Sequence, residues 1–281
     1  MYYLYLLGSI LTPILPRNFC YLFAKFISAI HYYLSKGDRE AVFYNLSPVV
    51  GDKSKLKRCV QEVFINFAYY LVDFLRYSKL NEDFIKKYIE LDGLDNLNKA
   101  LAEGKGVIVL AAHLGNYELA GAVLSLLGYP LSVVALSHGD KRINRFFNNQ
   151  RQMVRMKVIS TGTTIRSCFS ALKQGDMLAL LGDRDFSGAG IKLKIFSKYA
   201  YFPRGIAFFA LKTNAPIIPI FLVRKDKRFY RLVCEKPIAY DKEQQNEVAI
   251  IKKCNVVLEK YIKEYPQQWY MFQKWWVENS E

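Results

Sequence analysis

Acidic residues are scarce in this chain. Its 281 residues hold 25 Asp and Glu against 40 Lys and Arg, a formal net charge of +15. The imbalance points to an anionic partner: nucleic acid, an anionic membrane surface or an acidic substrate carrier. Cysteine is sparse too. Cys20, Cys59, Cys168, Cys234 and Cys254 are odd in number, widely spaced and without a CxxC pair. That disfavours a disulfide framework or a zinc site and fits reduced thiols. With 16 Gly and 9 Pro, collagen-like and low-complexity chains are excluded. A mean hydropathy of +0.01 is far below that of a multi-span transporter. There is no GxSxG elbow, no HExxH and no GxxxxGK[ST] loop, which disfavours a serine hydrolase, a zincin and a P-loop enzyme. What is present is a 52% hydrophobic, 15% aromatic composition. Such a chain buries a core and is long enough for one large domain plus a small appendage.

No apolar run reaches the ~20 residues of a spanning helix. Residues 1–16, MYYLYLLGSILTPILP, carry no charge and end at Pro13 and Pro16. A second apolar stretch, 18–34, contains Lys25 and His31. Neither has the basic n-region or small-residue cleavage site of a secretory signal. Together they read as a helical hairpin or an in-plane anchor, with Tyr2, Tyr3, Tyr5, Tyr21, Tyr32 and Tyr33 at headgroup level. The plainer alternative is a buried N-terminal helix pair. The expected division is an apolar helical membrane anchor over 1–35 and a catalytic domain over 36–281.

Residues 56–76 predict an amphipathic helix, with Val60, Val63, Phe64, Phe67, Ala68, Leu71 and Val72 recurring at three and four. The polar stretch 93–106 reads as turns and one short helix. Beyond it, strands are expected at 107–112, 132–136, 158–160, 177–181, 192–196, 217–223 and 230–235. Helices are expected near 117–127, 142–155, 164–173 and 204–212, and a long one at 244–265. The alternation predicts an α/β fold: a mainly parallel central sheet flanked by helices on both faces. In such sheets ligands sit beyond the carboxyl ends of the strands, and two strand ends stand out.

The first is His113, one of three histidines. Gly115 permits a tight turn. Asn116 is a helix N-cap, which sets Glu118 in the first helical turn. From there the carboxylate could fold back on the imidazole, fix its tautomer and stabilise the imidazolium. Equally, Glu118 could merely complement the helix dipole, with His113 a satisfied core residue. The second strand end carries Asp183, Arg184 and Asp185, an ion-pair network or a site; two such carboxylates could also ligate Mg²⁺. Tyr201, Phe202, Pro203, Arg204 and Gly205 then open a helix, suited to an anionic group or simply a turn with a surface arginine. Between these lie Lys141, Arg142, Arg145, Arg151, Arg155 and Lys157. Arg151 and Arg155, at i,i+4, share a face and could clamp a phosphate or steady charge on a thioester oxygen. Arg142 and Lys157 read as a solvated helix face.

Ala112-His113-Leu114-Gly115-Asn116-Tyr117-Glu118 resembles the HX4D/E motif of lysophospholipid acyltransferases. Gly182-Asp183-Arg184-Asp185 and Ala215-Pro216-Ile217-Ile218-Pro219 follow it, and Arg39 to Leu46 (Arg-x5-Asn-Leu) precedes it, with Asn66, Phe67 and Asp73 between. In that order the set resembles the bacterial lipid A biosynthesis acyltransferases (lauroyl and myristoyl transferases, with relatives acylating phosphatidylinositol mannosides). The resemblance implies that His113 is the general base and Glu118 its orienter, with Arg151, or failing it Arg155, as the catalytic arginine. It further implies that Asn116, Asp183, Arg184, Asp185, Arg204 and Gly205 shape the site or hold substrate. No metal or redox cofactor is implied, only an acyl thioester co-substrate on acyl carrier protein or CoA. Pro266 and Trp269 match a C-terminal segment of the lipid A enzymes, but the basic His-Arg-Arg triplet there is largely replaced. Asp183-Arg184-Asp185 looks more like the mannoside branch, so the acceptor stays open.

The expected function is acyl transfer to a hydroxyl of a lipid A precursor or related glycolipid. Its place would be the cytoplasmic face of a bacterial inner membrane, anchored or peripheral. Expected partners are the anionic membrane surface, the acyl carrier and the lipid acceptor, and no nucleic acid. The alternatives are a glycerophospholipid acyltransferase using acyl-CoA, a non-catalytic basic protein binding nucleic acid, and a structural membrane-surface protein with a decayed site.

Overall fold

A computed structural model describes residues 2–135, 139–160, 164–241 and 243–277. The N-terminal part is helical: α1 (Tyr2–Ile14), α2 (Arg17–Leu34), α3 (Lys36–Val50), α4 (Lys53–Leu75) and α5 (Glu82–Tyr88). Next come β1 (Ile89–Asp92), α6 (Leu94–Ala102), β2 (Val107–Ala111), α7 (Tyr117–Leu126), β3 (Leu131–Ala135), α8 (Lys141–Met153), β4 (Lys157–Ser160), α9 (Thr164–Lys173) and β5 (Met177–Leu181). Then follow β6 (Ile191–Ile195), β7 (Lys198–Phe202), α10 (Gly205–Thr213), β8 (Ile217–Arg224), β9 (Tyr230–Cys234) and α11 (Glu247–Glu264).

Seven strands form one sheet in the order β1-β9-β8-β2-β5-β3-β4. It is mostly parallel, as expected: β8, β2, β5, β3 and β4 run together. The exception is the β8–β9 pair, antiparallel because the short turn between them is too brief for a parallel crossover; β1, parallel to β9, therefore also runs against the other five. Successive residues of β2 serve opposite faces. Ile108 and Leu110 join the cluster built with α9, α10 and α11. Val107 and Val109 join the one built with α6, α7 and α8. This two-sided burial explains why β2 reads as an unbroken apolar run.

Two expectations on strands need amendment. The strand expected at 192–196 is half of a separate antiparallel hairpin, β6–β7. Its turn residues, Phe196 and Ser197, have φ of 48° and 65°. Such turns usually announce themselves with Asn-Gly or Asp-Gly, so this one left no sequence signal. The strand β1 was also not anticipated, since Ile-Glu-Leu-Asp is short and polar at alternate positions. The last residue of the strand expected at 132–136 lies outside the described residues.

The N-terminal segments are helical, but they are not a buried pair. Among its described residues α1 buries none. Only Cys20, Tyr21, Ala24 and Ser28 of α2 are buried, the first three against Tyr69 and Val72 of α4. Leu4, Leu7, Ile10, Phe19, Leu22, Phe23, Phe26 and Tyr33 stay exposed. Among the described residues no helix is long and apolar enough to cross a membrane, so the anchor expected over 1–35 has no spanning segment.

After α11 a 3-10 turn (Pro266–Gln268) leads into a non-helical strap over 269–277 that packs against α3 and the His113 turn. Asn45 of α3 holds it: its Nδ2 donates to the carbonyls of Met271 (2.9 Å) and Gln273 (2.7 Å), and its Oδ1 accepts from Trp275 N (2.9 Å). Asn45 is 1% exposed, so truncation leaves buried polar groups unpaired. Asn45→Ala is expected to lower stability by roughly 2–4 kcal/mol, measured by urea unfolding followed through tryptophan fluorescence.

Candidate active site

β2 and β5 are neighbours in register, Ala111 opposite Leu181. Two residues beyond those ends stand His113 and Asp183, side by side because the strands are parallel. Asp183 is fully buried. Its Oδ1 lies 2.9 Å from His113 Nδ1, and its Oδ2 accepts from His113 N (3.0 Å) and Trp269 Nε1 (3.1 Å). Burial alone would raise this carboxyl's pKa. The imidazole and the hydrogen bonds from His113 and Trp269 outweigh it and hold Asp183 below the usual carboxylate value. An ionised acceptor at Nδ1 places the imidazole proton there. The Nε2 lone pair is then left as the basic position of the ring.

The turn carrying His113 is fixed from every side. Gly115 has φ +65°, and a Cβ there would meet the Leu222 carbonyl oxygen at 2.2 Å, so glycine is required on two counts. Gly115 N donates to Gln268 O, Asn116 N to Leu222 O, and Tyr270 N to His113 O. Asn116 caps α7 through Leu119 N at 3.1 Å, as expected. Its Nδ2 also donates to Asp73 Oδ2 at 3.1 Å. Asp73, 3% exposed, gathers Arg17 (3.2 Å), Tyr21 (2.5 Å), Arg224 (3.1 Å) and the Tyr230 hydroxyl as well.

The expected pairing of Glu118 with His113 is not what the geometry holds. Glu118 leaves α7 toward α8, where its carboxylate takes Arg151 Nε at 3.1 and 3.2 Å and Nη2 at 2.5 Å. Both side chains are about nine-tenths buried. Burial works against the Arg151 charge, but Glu118 more than offsets it and holds the guanidinium above the ordinary arginine value. The imidazole is instead oriented by Asp183, a residue expected only to shape the site. Spacing along one chain suggested Glu118; adjacency of two strands supplied Asp183. The expectation that Arg155 shares a face with Arg151 also fails. The helix α8 stops at Met153, and Arg155 sits in the left-handed region (φ 67°) that closes it. Arg155 is exposed and is not among the residues lining the cavity beside His113.

A cavity of about 730 Å³ opens at His113, with Arg184, Asp185, Phe186, Arg204 and Gly205 around its mouth. Away from the mouth its lining is mainly apolar, with Val109, Ala120, Gly121, Leu124, Leu131 and Met156, interrupted by the buried Glu118–Arg151 pair. Arg184 Nη2 donates to the Gln273 side chain, and its guanidinium lies 4.4 Å from the Phe186 ring centroid. Asp185 accepts from Ser187 N and Oγ and from Gly190 N, which ties down the following loop. Arg204 Nε donates to Glu247 at 2.6 Å. Arg142 pairs with Asp140 at the surface, while exposed Lys157 pairs with the buried Asp176. Among the described residues no group of three or more His, Cys, Asp or Glu is placed to hold a metal ion.

Sequence reasoning assigned no role to Asn45, Asp73 or Trp269, although each lies in a segment that carried the family resemblance. A carboxylate on an otherwise apolar helix face was the available signal for Asp73.

Residues 1–278 match the family described as bacterial lipid A biosynthesis acyltransferase. A phosphatidylinositol mannoside acyltransferase of Mycolicibacterium smegmatis is 22% identical over 258 residues, covering 90% of this chain and 84% of that one. A lipid A biosynthesis palmitoleoyltransferase of Escherichia coli is 24% identical over 188 residues, 66% of this chain and 60% of the relative. A lipid A biosynthesis acyltransferase of Haemophilus influenzae is 25% identical over 138 residues, 49% of this chain and 43% of the relative. Matched along nearly its whole length, the chain belongs to the bacterial lipid A biosynthesis acyltransferase family, and it is an acyltransferase.

Proposed function

We propose that the protein moves a fatty acyl group from a thioester, on acyl carrier protein or CoA, to a hydroxyl of a lipid A precursor or related glycolipid. The observation that carries this reading is the buried Asp183 carboxylate holding His113 at the mouth of an apolar cavity. His113 Nε2 takes the proton of the acceptor hydroxyl as its oxygen bonds to the thioester carbonyl carbon, and the carbonyl π pair moves to oxygen. Asp183 stabilises the imidazolium that results. When the carbonyl re-forms, the C–S bond breaks and the thiolate leaves with the proton from His113. The Glu118–Arg151 pair walls the site and holds α7 to α8. Arg184, Arg204 and the amino end of α10 at Gly205 suit the phosphate of donor or acceptor. The apolar interior suits the acyl chain. The names of the relatives favour a glycolipid over a glycerophospholipid acceptor, and an acyltransferase family disfavours the non-catalytic readings.

The exposed apolar residues of α1 and α2 fit peripheral attachment, lying in the plane of an anionic membrane. Such attachment would occupy part of the basic excess, and the cytoplasmic face of the inner membrane is where acyl carrier and lipid acceptor meet.

Transfer assays with both donors and a glycolipid acceptor test the reaction. His113→Ala is expected to lose at least about 10³-fold in kcat, and Asp183→Asn about 10³–10⁴-fold through the wrong tautomer, both with unchanged circular dichroism. A folded His113→Ala variant with near-normal transfer would sink the assignment. A Cβ at Gly121 would meet Met156 Sδ at 2.8 Å and Leu131 Cδ2 at 3.2 Å. Gly121→Val should therefore cut kcat/KM for the longest accepted acyl donor by about tenfold or more, with shorter donors spared; competition between mixed donors reads this directly. Replacing exposed Phe23 and Phe26 by Glu should weaken co-sedimentation with anionic vesicles by roughly tenfold.

A further inference from the structure

Acyl transfer develops negative charge on the carbonyl oxygen, and a donor must meet it. Arg151 was the expected one, but its guanidinium is already engaged by Glu118 and Asn148. Beside the His113 ring stands a hydroxyl donor, Tyr117. It opens α7, borders the cavity and lies edge-on to His113 with ring centroids 5.5 Å apart.

Its hydroxyl is 3.1 Å from that of Tyr70, which donates to it. Two phenols sharing one hydrogen bond have one proton left over. On Tyr70, 4% exposed and stacked against Tyr117, that proton would be buried without an acceptor, a costly arrangement. On Tyr117 it belongs to the side chain that borders the cavity. Burial, helped by the Glu118 charge, holds the Tyr117 phenol well above its ordinary value, so the proton stays on. A donor that itself accepts a hydrogen bond is polarised and strengthened.

We propose that Tyr117 is a catalytic residue, its hydroxyl donating a hydrogen bond to the oxyanion that forms when the acceptor oxygen attacks the thioester. The proposal rests on the His113 acyl-transfer reading. Tyr117 gives up no proton: the acceptor's proton goes to His113 Nε2 and leaves with the thiolate, while Tyr117 binds the oxyanion until the C–S bond breaks.

The test uses the full chain and compares Tyr117→Phe, Tyr70→Phe and His113→Ala. Tyr117→Phe should lower kcat roughly 10²-fold, with KM and the affinity for an unreactive thioether analogue of the acyl donor within about twofold. Tyr70→Phe, which leaves the Tyr117 proton in place, should cost only a few-fold. The assignment is overturned if Tyr117→Phe keeps near-normal kcat, if its loss appears wholly as weaker analogue binding, or if Tyr70→Phe is impaired as deeply. An inactive His113→Ala beside an active Tyr117→Phe overturns this inference alone; an active His113→Ala overturns the reading beneath it.

Discussion

Everything in the site leans on one buried charge, the carboxylate of Asp183. An ion with no exposure to water is tolerated only when donors replace the water it lost. Three do so: the ring and the backbone N–H of His113, and the indole of Trp269. Each donor imposes a demand on the fold. The imidazole must sit on the strand beside β5, which fixes the pairing of β2 with β5. The indole must arrive from the carboxyl-terminal strap. The strap stays there because Asn45, near the other end of the chain, holds it by four hydrogen bonds, three through its side chain and one through its backbone carbonyl, which accepts from Trp276 Nε1. The placement of His113, in the middle of the sequence, thus depends on residues near the amino and carboxyl ends.

A second buried carboxylate grips the same turn from its far side. Asp73 binds Asn116, and with it Arg17 and Tyr21 of α2 and Arg224 and Tyr230 of the sheet. Asn116 thereby has both ends of its amide occupied, one by Asp73 and one by the α7 backbone. The turn His113–Asn116 cannot rotate without breaking one of these contacts, which is the rigidity that the proposed role of His113 as general base requires. The α2 helix, whose other side is apolar and exposed, is part of this arrangement through Arg17 and Tyr21.

Polarity along the cavity completes the logic. Its interior is mainly hydrocarbon-lined apart from the neutralised Glu118–Arg151 pair, while its mouth carries Arg184, Arg204 and the imidazole of His113. The proposed donor, a fatty acyl thioester, has the matching profile: an apolar chain ending in a polar, phosphate-bearing carrier. The net positive charge that opened several possibilities is therefore spread over distinct jobs. Arg17 and Arg224 neutralise Asp73, Arg151 neutralises Glu118, and Arg184 and Arg204 face the mouth.

The sequence by itself determined the elements and the class of chemistry. Apolar runs of strand length alternating with amphipathic helices are local patterns, and they specified most of the parallel sheet. The glycine before Asn116 and the Asn116 cap are local as well, so the turn that presents His113 was legible. Local rules were silent on the β6–β7 hairpin, whose turn lacks the usual residues, and on β1, too short to carry a pattern. Partnership was decided only by tertiary structure. Glu118 is five residues from His113 yet bonds Arg151, while Asp183, seventy residues away, takes the imidazole. The reason is physical: a helical turn swings side chains around its axis, whereas two parallel strands in register bring their ends together whatever the sequence between them.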